Sequence, residues 1–511
     1  MSVQIKRETI EAGSLLRAAA QQTAVEAEAA LPGGLRDEVL LFYTAAQALP
    51  LTAEAVGSRV TVSGRVTFRA LYAQGDLTHV HSVEEMRDFS RQLTAAASDA
   101  GAQYEPVCEV TAVSARVFNG RLLMRAELTV SAEAAETHAV SVVSAVEEPG
   151  AQVLTEALTV QHTVGGGEAQ GLIKGEFEIS QALQAQEALL GEGEARVEDI
   201  LGGADGRATV TGMIDLTVCH ASALPGRPLV YTRHSLPFEQ QVTLHGEPGE
   251  MLSASAAVTD VAAALEENGD SRILRAEVGL SVRVQALRDQ TTAVVSDVFG
   301  EGNSLLIPSG ERMSFCVGHV NEQTAESGVL QLSLPGEQPR IKTVLAAFVQ
   351  PVLAGAKNLE GKLQADLLLR TTLIYMTEDS GIPVSYTAEE PARMTFSADL
   401  QPDDRLTLRA SHVDASPVAG DRAEVRYVIS LQGQGARYRP VFAVTDAAQE
   451  EVPAGRAAVS LYRVQGDERL WDVMKRYRLS RERLLAFNEQ LADSAVSAPL
   501  PAGMEIIAYR R

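Results

Sequence analysis

The sequence predicts a mainly β fold: three β-sandwich-like repeat domains followed by a small α+β domain. Three observations lead to this prediction. One hairpin-like stretch recurs along the chain, apolar and polar residues alternate over long runs, and a pattern of two closely spaced helices stands near the C-terminus. At 511 residues the chain is also too long for a single hydrophobic core.

The recurring stretch is clearest at Gly361–Thr387, which reads as a long β-hairpin with its turn at Glu378–Gly381. A second copy stands 155 residues earlier, at Gly206–Thr232, and the pattern Pro-x-x-Tyr-Thr closes both copies. Thr61–Gly64 repeats the Thr-Val-x-Gly pattern of Thr209–Gly212, which indicates a third copy further upstream. Similar spacing with little identity is typical of diverged repeats.

Alternating apolar and polar residues predict strands with one buried face, as at Arg121–Val130 and Arg272–Val282. The pair Asn119-Gly120 predicts a tight turn that joins Val107–Arg116 to Arg121–Ser131, since both central residues of such a turn need a positive φ. We therefore expect antiparallel sheets packed as sandwiches or partly open barrels.

The repeats are assigned to residues 1–143, 150–300 and 322–447, and the C-terminal domain to residues 457–511. Gly300–Ser327 and Asp446–Gly455 are predicted as linkers because they combine small residues with Pro. Gly165–Gly167 is predicted as a flexible connector and not as a phosphate loop, because no Lys-Ser/Thr pair follows it.

Two stretches within the first repeat show helical spacing. Ser82–Ala97 is predicted as a helix, with a capping box at its start and an apolar face made of Met86, Phe89 and Leu93. Arg36–Ala48 fits either a helix or a bent strand.

The composition excludes some classes of function. The net charge is −23, and residues 459–511 carry nine Lys and Arg against seven Asp and Glu, so the excess acid lies in the repeats. An acidic surface repels nucleic acid, so we expect no nucleic-acid binding. No apolar run approaches the length of a membrane span, and the N-terminal residues lack the apolar core of a signal peptide, which favours a cytoplasmic protein.

We find no pattern typical of an enzyme, a cofactor site or a metal site. His79 and His81 would share one face of a strand, but no further ligands follow at metal-site spacing. Cys108, Cys219 and Cys316 stand alone in apolar runs, which predicts buried, reduced thiols. No Ser lies in a G-x-S-x-G turn. We therefore expect a non-enzymatic protein without a cofactor.

The C-terminal domain has the pattern strand, helix, helix, strand. The strands are predicted at Tyr462–Val464 and Met504–Ala508, the first helix carries Trp471, and Ser480 is a candidate N-cap of the second helix. A Pro/Gly-rich turn precedes the closing strand.

This unit resembles a LysM domain over its whole length. The residues that match the family pattern are Tyr462, Val464, Gly466, Asp467, Leu470, Trp471, Ser480, Leu484, Leu485, Asn488, Pro501 and Gly503. The resemblance implies a binding groove with two sides. One side would be formed by Gly466, Asp467, Glu468, Arg469, Trp471 and Asn488, and the other by Leu500, Pro501 and Gly503. Glu468 and Arg469 depart from the family pattern, in which Ser or Thr is usual, and these two charged side chains weigh against a glycan as the ligand.

Three β repeats before one LysM-like unit are similar to the SPOCS-domain proteins of spore-forming Firmicutes, and the segments Leu31–Gly33 and Leu334–Gly336 contribute to this likeness. The resemblance implies a scaffold of spore coat assembly in the mother-cell cytoplasm, at the forespore surface. Its LysM domain would dock on the morphogenetic ATPase of the coat's basement layer or on another coat protein. The alternative is a cell-wall protein that binds peptidoglycan or chitin oligomers, which would need export.

Overall fold

The structure is a computed structural model and describes residues 3–31, 39–74, 79–95, 104–202, 206–268, 271–302, 304–378, 381–451 and 458–510. These residues form a mainly β protein, as predicted, whose sheets are all small and antiparallel. The strands of repeat 1 are β1 (Ile5–Ala30), β2 (Val39–Val56), β3 (Arg59–Gln74), β4 (Val80–Thr94), β5 (Glu105–Phe118) and β6 (Arg121–Val146).

Repeats 2 and 3 follow the same order of strands. Repeat 2 contains β7 (Ala151–Ile179), β8 (Ala185–Gly202), β9 (Arg207–Leu224), β10 (Arg227–Thr243), the short β11 (His245–Gly246), β12 (Met251–Asn268) and β13 (Ser271–Gly300). Repeat 3 contains β14 (Ser304–Ser333), β15 (Ile341–Leu359), β16 (Lys362–Thr377), β17 (Pro383–Phe396), β18 (Arg405–Ala419) and β19 (Arg422–Glu451).

Each repeat consists of two sheets. In the sequence, the three strands of one sheet lie between the first strand and the last two strands of the other. In repeat 1 the first strand pairs with the last, in the order β1-β6-β5, and the strands between them form the meander β2-β3-β4. The same arrangement gives β14-β19-β18 with β15-β16-β17 in repeat 3. In repeat 2 it gives β10-β9-β8 and the sheet β11-β7-β13-β12, in which the short β11 is added beside β7. The two sheets of a repeat share one core, in which Leu128 of β6 belongs to the same cluster as Val60 and Phe68 of β3.

The predicted hairpins are confirmed where the alternation was strongest. On β6, Leu122, Met124 and Leu128 are buried, and the alternate residues face outward. Asn119 and Gly120 have φ values of 50° and 71°, as the turn between β5 and β6 requires. Strands β9–β10 and β16–β17 pair as predicted, although residues 379–380 of the predicted turn Glu378–Gly381 lie outside the described residues.

The Thr-Val-x-Gly pattern has a packing explanation. In the register of the meanders, Gly64 lies opposite Phe89 and Gly212 lies opposite Phe238. A Cβ at Gly64 would lie 2.8 Å from the Phe89 ring, and one at Gly212 would lie 2.7 Å from the Phe238 ring. The glycine is therefore required because the aromatic ring of the neighbouring strand covers its backbone.

The predicted helix at Ser82–Ala97 is wrong. Residues 80–94 form β4, which is antiparallel to β3, and Ala97 lies outside the described residues. Phe89 and Leu93 are buried, but Met86, on the opposite face of the strand, is 42% exposed. Pairing with the preceding strand overrides a helical spacing that three residues fit by coincidence. The described part of Arg36–Ala48 belongs to β2, which has a register shift between Leu41 and Tyr43 and matches the bent-strand alternative.

The predicted linker at Gly300–Ser327 is also wrong, because β14 runs through it from Ser304 and pairs with β19. Gly310 sits at a register shift, where a Cβ would lie 2.3 Å from the carbonyl oxygen of Ala443. Glycine here allows close approach of two backbones and does not mark a flexible segment.

The run Gly165–Gly167 is likewise part of a strand, β7, and is not a connector. A Cβ at Gly167 would lie 2.0 Å from the carbonyl oxygen of Thr243. The glycines therefore allow the backbone that leads into β11 to pack closely against β7. Of the predicted linker Asp446–Gly455, residues 446–451 continue β19, and residues 452–457 lie outside the described residues. Residues 32–33 of the segment Leu31–Gly33 also lie outside them.

The three repeats close into a ring. Strand β4 of repeat 1 contacts β8 of repeat 2, β10 contacts β15 of repeat 3, and β17 contacts β2 of repeat 1. One apolar cluster combines the three meanders and includes Tyr43, Leu190 and Phe348. A second apolar cluster combines the sheets that contain the first and last strands of each repeat, and it includes Ile10, Leu158 and Phe315.

Candidate docking site on the C-terminal unit

The C-terminal unit, residues 458–510, is a two-stranded antiparallel sheet packed on short helices. Its elements are β20 (Ala458–Arg463), α1 (Leu470–Tyr477), α2 (Arg481–Leu485), a 3-10 turn (Glu489–Leu491) and β21 (Glu505–Arg510). The inward-facing residues of these elements, among them Leu470, Met474, Leu484 and Ile506, form one core together with Phe299 of repeat 2.

Local hydrogen bonds set the starts of both helices. The carboxylate of Asp472 accepts a 2.9 Å hydrogen bond from the backbone N–H of Arg469 and a 3.0 Å bond from its guanidinium. Ser480 caps α2, as predicted, with its Oγ 3.5 Å from the backbone N of Arg483. At the end of α1, Arg478 adopts a left-handed conformation with φ 53°.

The structure brings together the two loops that were predicted to form a groove. The carbonyl oxygen of Glu468, before α1, accepts a 2.8 Å hydrogen bond from the backbone N–H of Leu500. An isolated antiparallel β-bridge between Arg469 and Pro499 also joins these two loops. Gly503 has φ 84° and donates its N–H to the carbonyl of Val464, which fixes the turn into β21.

Glu468 is held within the unit itself. Its carboxylate accepts hydrogen bonds from the hydroxyl of Tyr462 (2.6 Å), the backbone N–H of Gln465 (2.8 Å) and the guanidinium of Arg476 (2.9 Å). The hydrogen bond from Tyr462 is the main cause that lowers the pKa of Glu468. The Arg476 guanidinium also lies over the Tyr462 ring, 4.7 Å from its centroid. The loop at Gly466–Glu468 is therefore fixed in shape before any ligand binds.

Two of the predicted site residues, Trp471 and Asn488, are each only 1% exposed. The side-chain amide of Asn488 donates to the carbonyls of Leu484 (2.7 Å) and Ile507 (2.8 Å) and accepts from the N–H of Ile507 (2.7 Å). It thereby ties α2 to β21. Leu500 is also buried, at 4% exposure. The predicted residues that remain on the surface are those of the first loop, together with Pro501 and Gly503.

The unit is attached to repeat 2, which the sequence analysis did not foresee. Nε1 of Trp471 donates to Oδ2 of Asp297 (2.8 Å), and Nζ of Lys475 lies 2.6 Å from Oδ1 of the same carboxylate. The Trp471 ring packs edge-on against Phe299, with 5.0 Å between centroids. The N–H of Gly302 donates to the carbonyl of Arg478. Part of the basic helix surface is therefore neutralised by repeat 2.

The outer face of the small sheet is apolar and exposed. Val459, Leu461 and Ile507 are 70%, 68% and 40% exposed, and Leu461 lies directly opposite Ile507 in the ladder. Phe487, 52% exposed, packs edge-on against Tyr509 beside them. We call these five residues the apolar face. An exposed patch of this kind on so small a unit is typical of a protein-binding surface.

Within the described part of the chain, no group of three or more His, Cys, Asp or Glu side chains is placed to hold a metal ion. None of the helices among the described residues has the length and apolar character needed to cross a membrane. Cys219 is buried and Cys108 and Cys316 are partly buried, all as free thiols. Burial raises the pKa of Cys219 to about 12, which keeps this thiol protonated and unreactive.

Sequence reasoning identified the C-terminal elements and the two adjacent loops from their local patterns. It missed the apolar face, because alternation along a six-residue strand leaves open which side is covered. No protein-family model, curated protein or solved structure was found to match this chain.

Proposed function

We propose that this protein is a non-enzymatic scaffold of spore coat assembly, and that its C-terminal unit is a LysM domain that docks on a coat morphogenetic protein. The proposal rests on the resemblance of the sequence to SPOCS and LysM proteins and on one structural observation. That observation is the apolar face, which stands open on the side of the C-terminal unit away from its own core. The protein would act in the mother-cell cytoplasm, at the forespore surface.

The arrangement of the molecule suits a scaffold. The ring of three repeats is joined by interfaces that bury aromatic residues, and the C-terminal unit is fastened to it through Asp297. A partner bound to the C-terminal unit would thus be held at a defined position relative to the repeats. Its own contact surface would be apolar at the centre, since it must cover Leu461 and Ile507.

The geometry of the loop Gly466–Arg469, before α1, favours a protein and not a glycan as the binding partner. Glu468 and Arg469 are already paired with Arg476 and Asp472, respectively, so their polar atoms are engaged before a sugar arrives. A glycan would need free hydrogen-bonding groups in this loop.

The test measures binding of the full chain to the purified morphogenetic ATPase of the coat basement layer. We expect Leu461→Arg to weaken binding at least about tenfold, because it places a charge in the centre of the contact. Leu201→Arg is the matched control, since Leu201 is exposed to a similar degree (60%) but lies on β8 of repeat 2.

A parallel titration uses N-acetylglucosamine oligomers. We expect no binding up to roughly millimolar sugar. Sugar binding at micromolar concentrations, with no binding of the ATPase, would replace the scaffold proposal by a wall-binding function. Equal ATPase binding by the Leu461→Arg variant and the wild type would show that the apolar face is not the docking surface.

A further inference from the structure

A cavity of about 670 Å³ lies where the three repeats meet. Strands β2 and β5 of repeat 1, β8 and β12 of repeat 2, and β15 and β18 of repeat 3 supply its walls. One aromatic ring from each repeat lines it, namely Tyr43, Tyr231 and Phe348. Tyr43 and Phe348 are stacked with 3.8 Å between centroids, and Tyr231 meets Phe348 edge-on. Its volume is within the range of about 300–1,000 Å³ typical of small-molecule sites.

Several charged side chains that line this cavity are paired across repeat boundaries. Arg69 of repeat 1 contacts Asp260 of repeat 2 at 3.1 Å. Glu105 of repeat 1 lies between Arg283 of repeat 2 (2.7 Å) and Arg405 of repeat 3 (3.5 Å). These ion pairs hold the repeats together and need no ligand.

Glu192 of repeat 2 and Arg409 of repeat 3 also line the cavity and attract each other electrostatically, but among the described residues neither forms a direct ion pair. Among the described residues, the Glu192 carboxylate of repeat 2 has no ion pair within 4 Å and no hydrogen bond. The hydrogen bonds of the Arg409 guanidinium of repeat 3, within the part of the chain that the structure describes, are limited to a long contact of 3.5 Å with the carbonyl oxygen of Gly193. Glu192 lies deep in the molecule yet keeps more than a third of its surface accessible, because it projects into the cavity. Burial raises the pKa of Glu192 and lowers the pKa of Arg409.

A charged group that is partly withdrawn from water and has no direct ion pair is costly, so this arrangement favours a ligand that contacts both Glu192 and Arg409 directly. An anion would pair with Arg409 but be repelled by Glu192. A cation would pair with Glu192 but be repelled by Arg409. A molecule that carries both charges satisfies the two at once. The aromatic rings of Tyr43, Tyr231 and Phe348 offer an apolar surface for the carbon chain between its charges.

We propose that this cavity binds a small zwitterion of the amino-acid class, with its carboxylate on Arg409 and its ammonium on Glu192. Because the two side chains come from repeats 2 and 3, the ligand would also join these repeats. The site is separate from the C-terminal unit, so it is independent of the docking function proposed above.

The experiment measures binding of glycine, β-alanine, 4-aminobutyrate and 6-aminohexanoate to the full chain by calorimetry and by the thermal unfolding midpoint. This series varies only the distance between the ammonium and carboxylate groups. We expect one length to bind best, with a dissociation constant below about 1 mM, and to raise the unfolding midpoint. The preferred compound is then compared with two compounds of the same chain length that carry only the carboxylate or only the ammonium group. For 6-aminohexanoate these are hexanoate and hexylammonium. Each singly charged compound is expected to bind at least about tenfold more weakly than the zwitterion.

The variants Glu192→Gln and Arg409→Gln are expected to weaken binding of the preferred compound about tenfold or more. Glu54→Gln and Arg227→Gln, at exposed positions outside the cavity lining, serve as controls and should bind like the wild type. The proposal is overturned if no compound of the series binds the wild type at about 10 mM, or if the singly charged compounds bind equally well. These wild-type measurements decide the question even if the cavity variants do not fold.

Discussion

The indole N–H of Trp471 donates a 2.8 Å hydrogen bond to the carboxylate of Asp297, 174 positions earlier in the chain. Lys475 contacts the same carboxylate from the next turn of α1. One side chain at the end of β13 thus anchors the C-terminal unit through a neutral donor and a cation.

Asp297→Ala should loosen this attachment, because it leaves the Trp471 N–H without its acceptor in a buried contact. A cost of about 1–3 kcal/mol is expected for such a loss. Hydrogen exchange of the α1 amides should become about tenfold faster or more. Asp493→Ala, at an exposed position of the C-terminal unit, is the control. Unchanged exchange in the Asp297 variant would mean that the other contacts with repeat 2, such as the packing on Phe299 and the hydrogen bond from Gly302 to Arg478, are sufficient to hold the unit.

Asn488→Ala should destabilise the C-terminal unit from within. It removes three hydrogen bonds between the side chain and the backbone, and with them the partners of the partly buried N–H and carbonyl of Ile507. We expect a loss of about 2–4 kcal/mol in the local stability of β21, measured by hydrogen exchange. Gln490→Ala is a suitable comparison because Gln490 makes a single exposed hydrogen bond to the Glu505 carbonyl. Similar effects of both variants would argue against a structural role specific to Asn488.

Gly212→Ala should destabilise repeat 2, since the added Cβ would lie 2.0 Å from the Arg196 carbonyl oxygen and 2.7 Å from the Phe238 ring. Displacing the ring and the backbone is expected to cost about 1–3 kcal/mol, measured by urea unfolding. Gly318→Ala should have a much smaller effect, because none of the described residues beyond its two chain neighbours comes within 4 Å of a Cβ at that position. A stable Gly212 variant would show that the Thr-Val-x-Gly pattern has another origin.

The stability of repeat 2 should fall on mild acidification through His220. This ring is fully buried, with Nε2 2.8 Å from Thr232 Oγ1, and burial lowers its pKa from 6.5 to about 4. Between these two values the unfolded state binds a proton that the folded state does not. The free energy of unfolding therefore decreases as the pH falls, by about 2 kcal/mol from this residue between pH 7.5 and pH 5.

The measurement is urea unfolding at the two pH values for the wild type and for His220→Gln. The variant should lose that share of the pH dependence, whereas His138→Gln, at an exposed position, should retain it. A pH dependence that is unchanged in His220→Gln would assign the effect to other groups that titrate in this range, such as His234 and His319, whose pKa values are also lowered by burial in the folded state.

Local patterns in the sequence predicted the parts of the fold that local physics determines. Asn119-Gly120 requires a turn, and the alternation in β6 requires one buried face. The helix assigned around Phe89 failed because β4 is defined by pairing with β3, and not by its own residues. The linker predicted from Gly300 onward failed because glycine also serves close approach between strands, as at Gly310.

In the candidate site, too, the features set by local sequence were predicted and those set by contacts between domains were not. The loops around Glu468 and Leu500 follow from turn residues and a capped helix, and the structure brings them together. The contact of Trp471 with Asp297 joins two domains, and nothing in the local sequence of either residue specifies the other. Glu192 and Arg409 are also far apart in sequence, and only the closed ring places them at one cavity.

The contact of β17 with β2 has a consequence for how the chain acquires its structure during synthesis. In an open array of repeats, each unit can be completed as soon as it leaves the ribosome. Here the surface of repeat 1 that includes Phe42 and Tyr43 is covered only after repeat 3 has been made, more than 300 residues later. The nascent chain must therefore carry an exposed apolar surface for most of its translation, and the repeats reach their full stability together, as one cooperative unit.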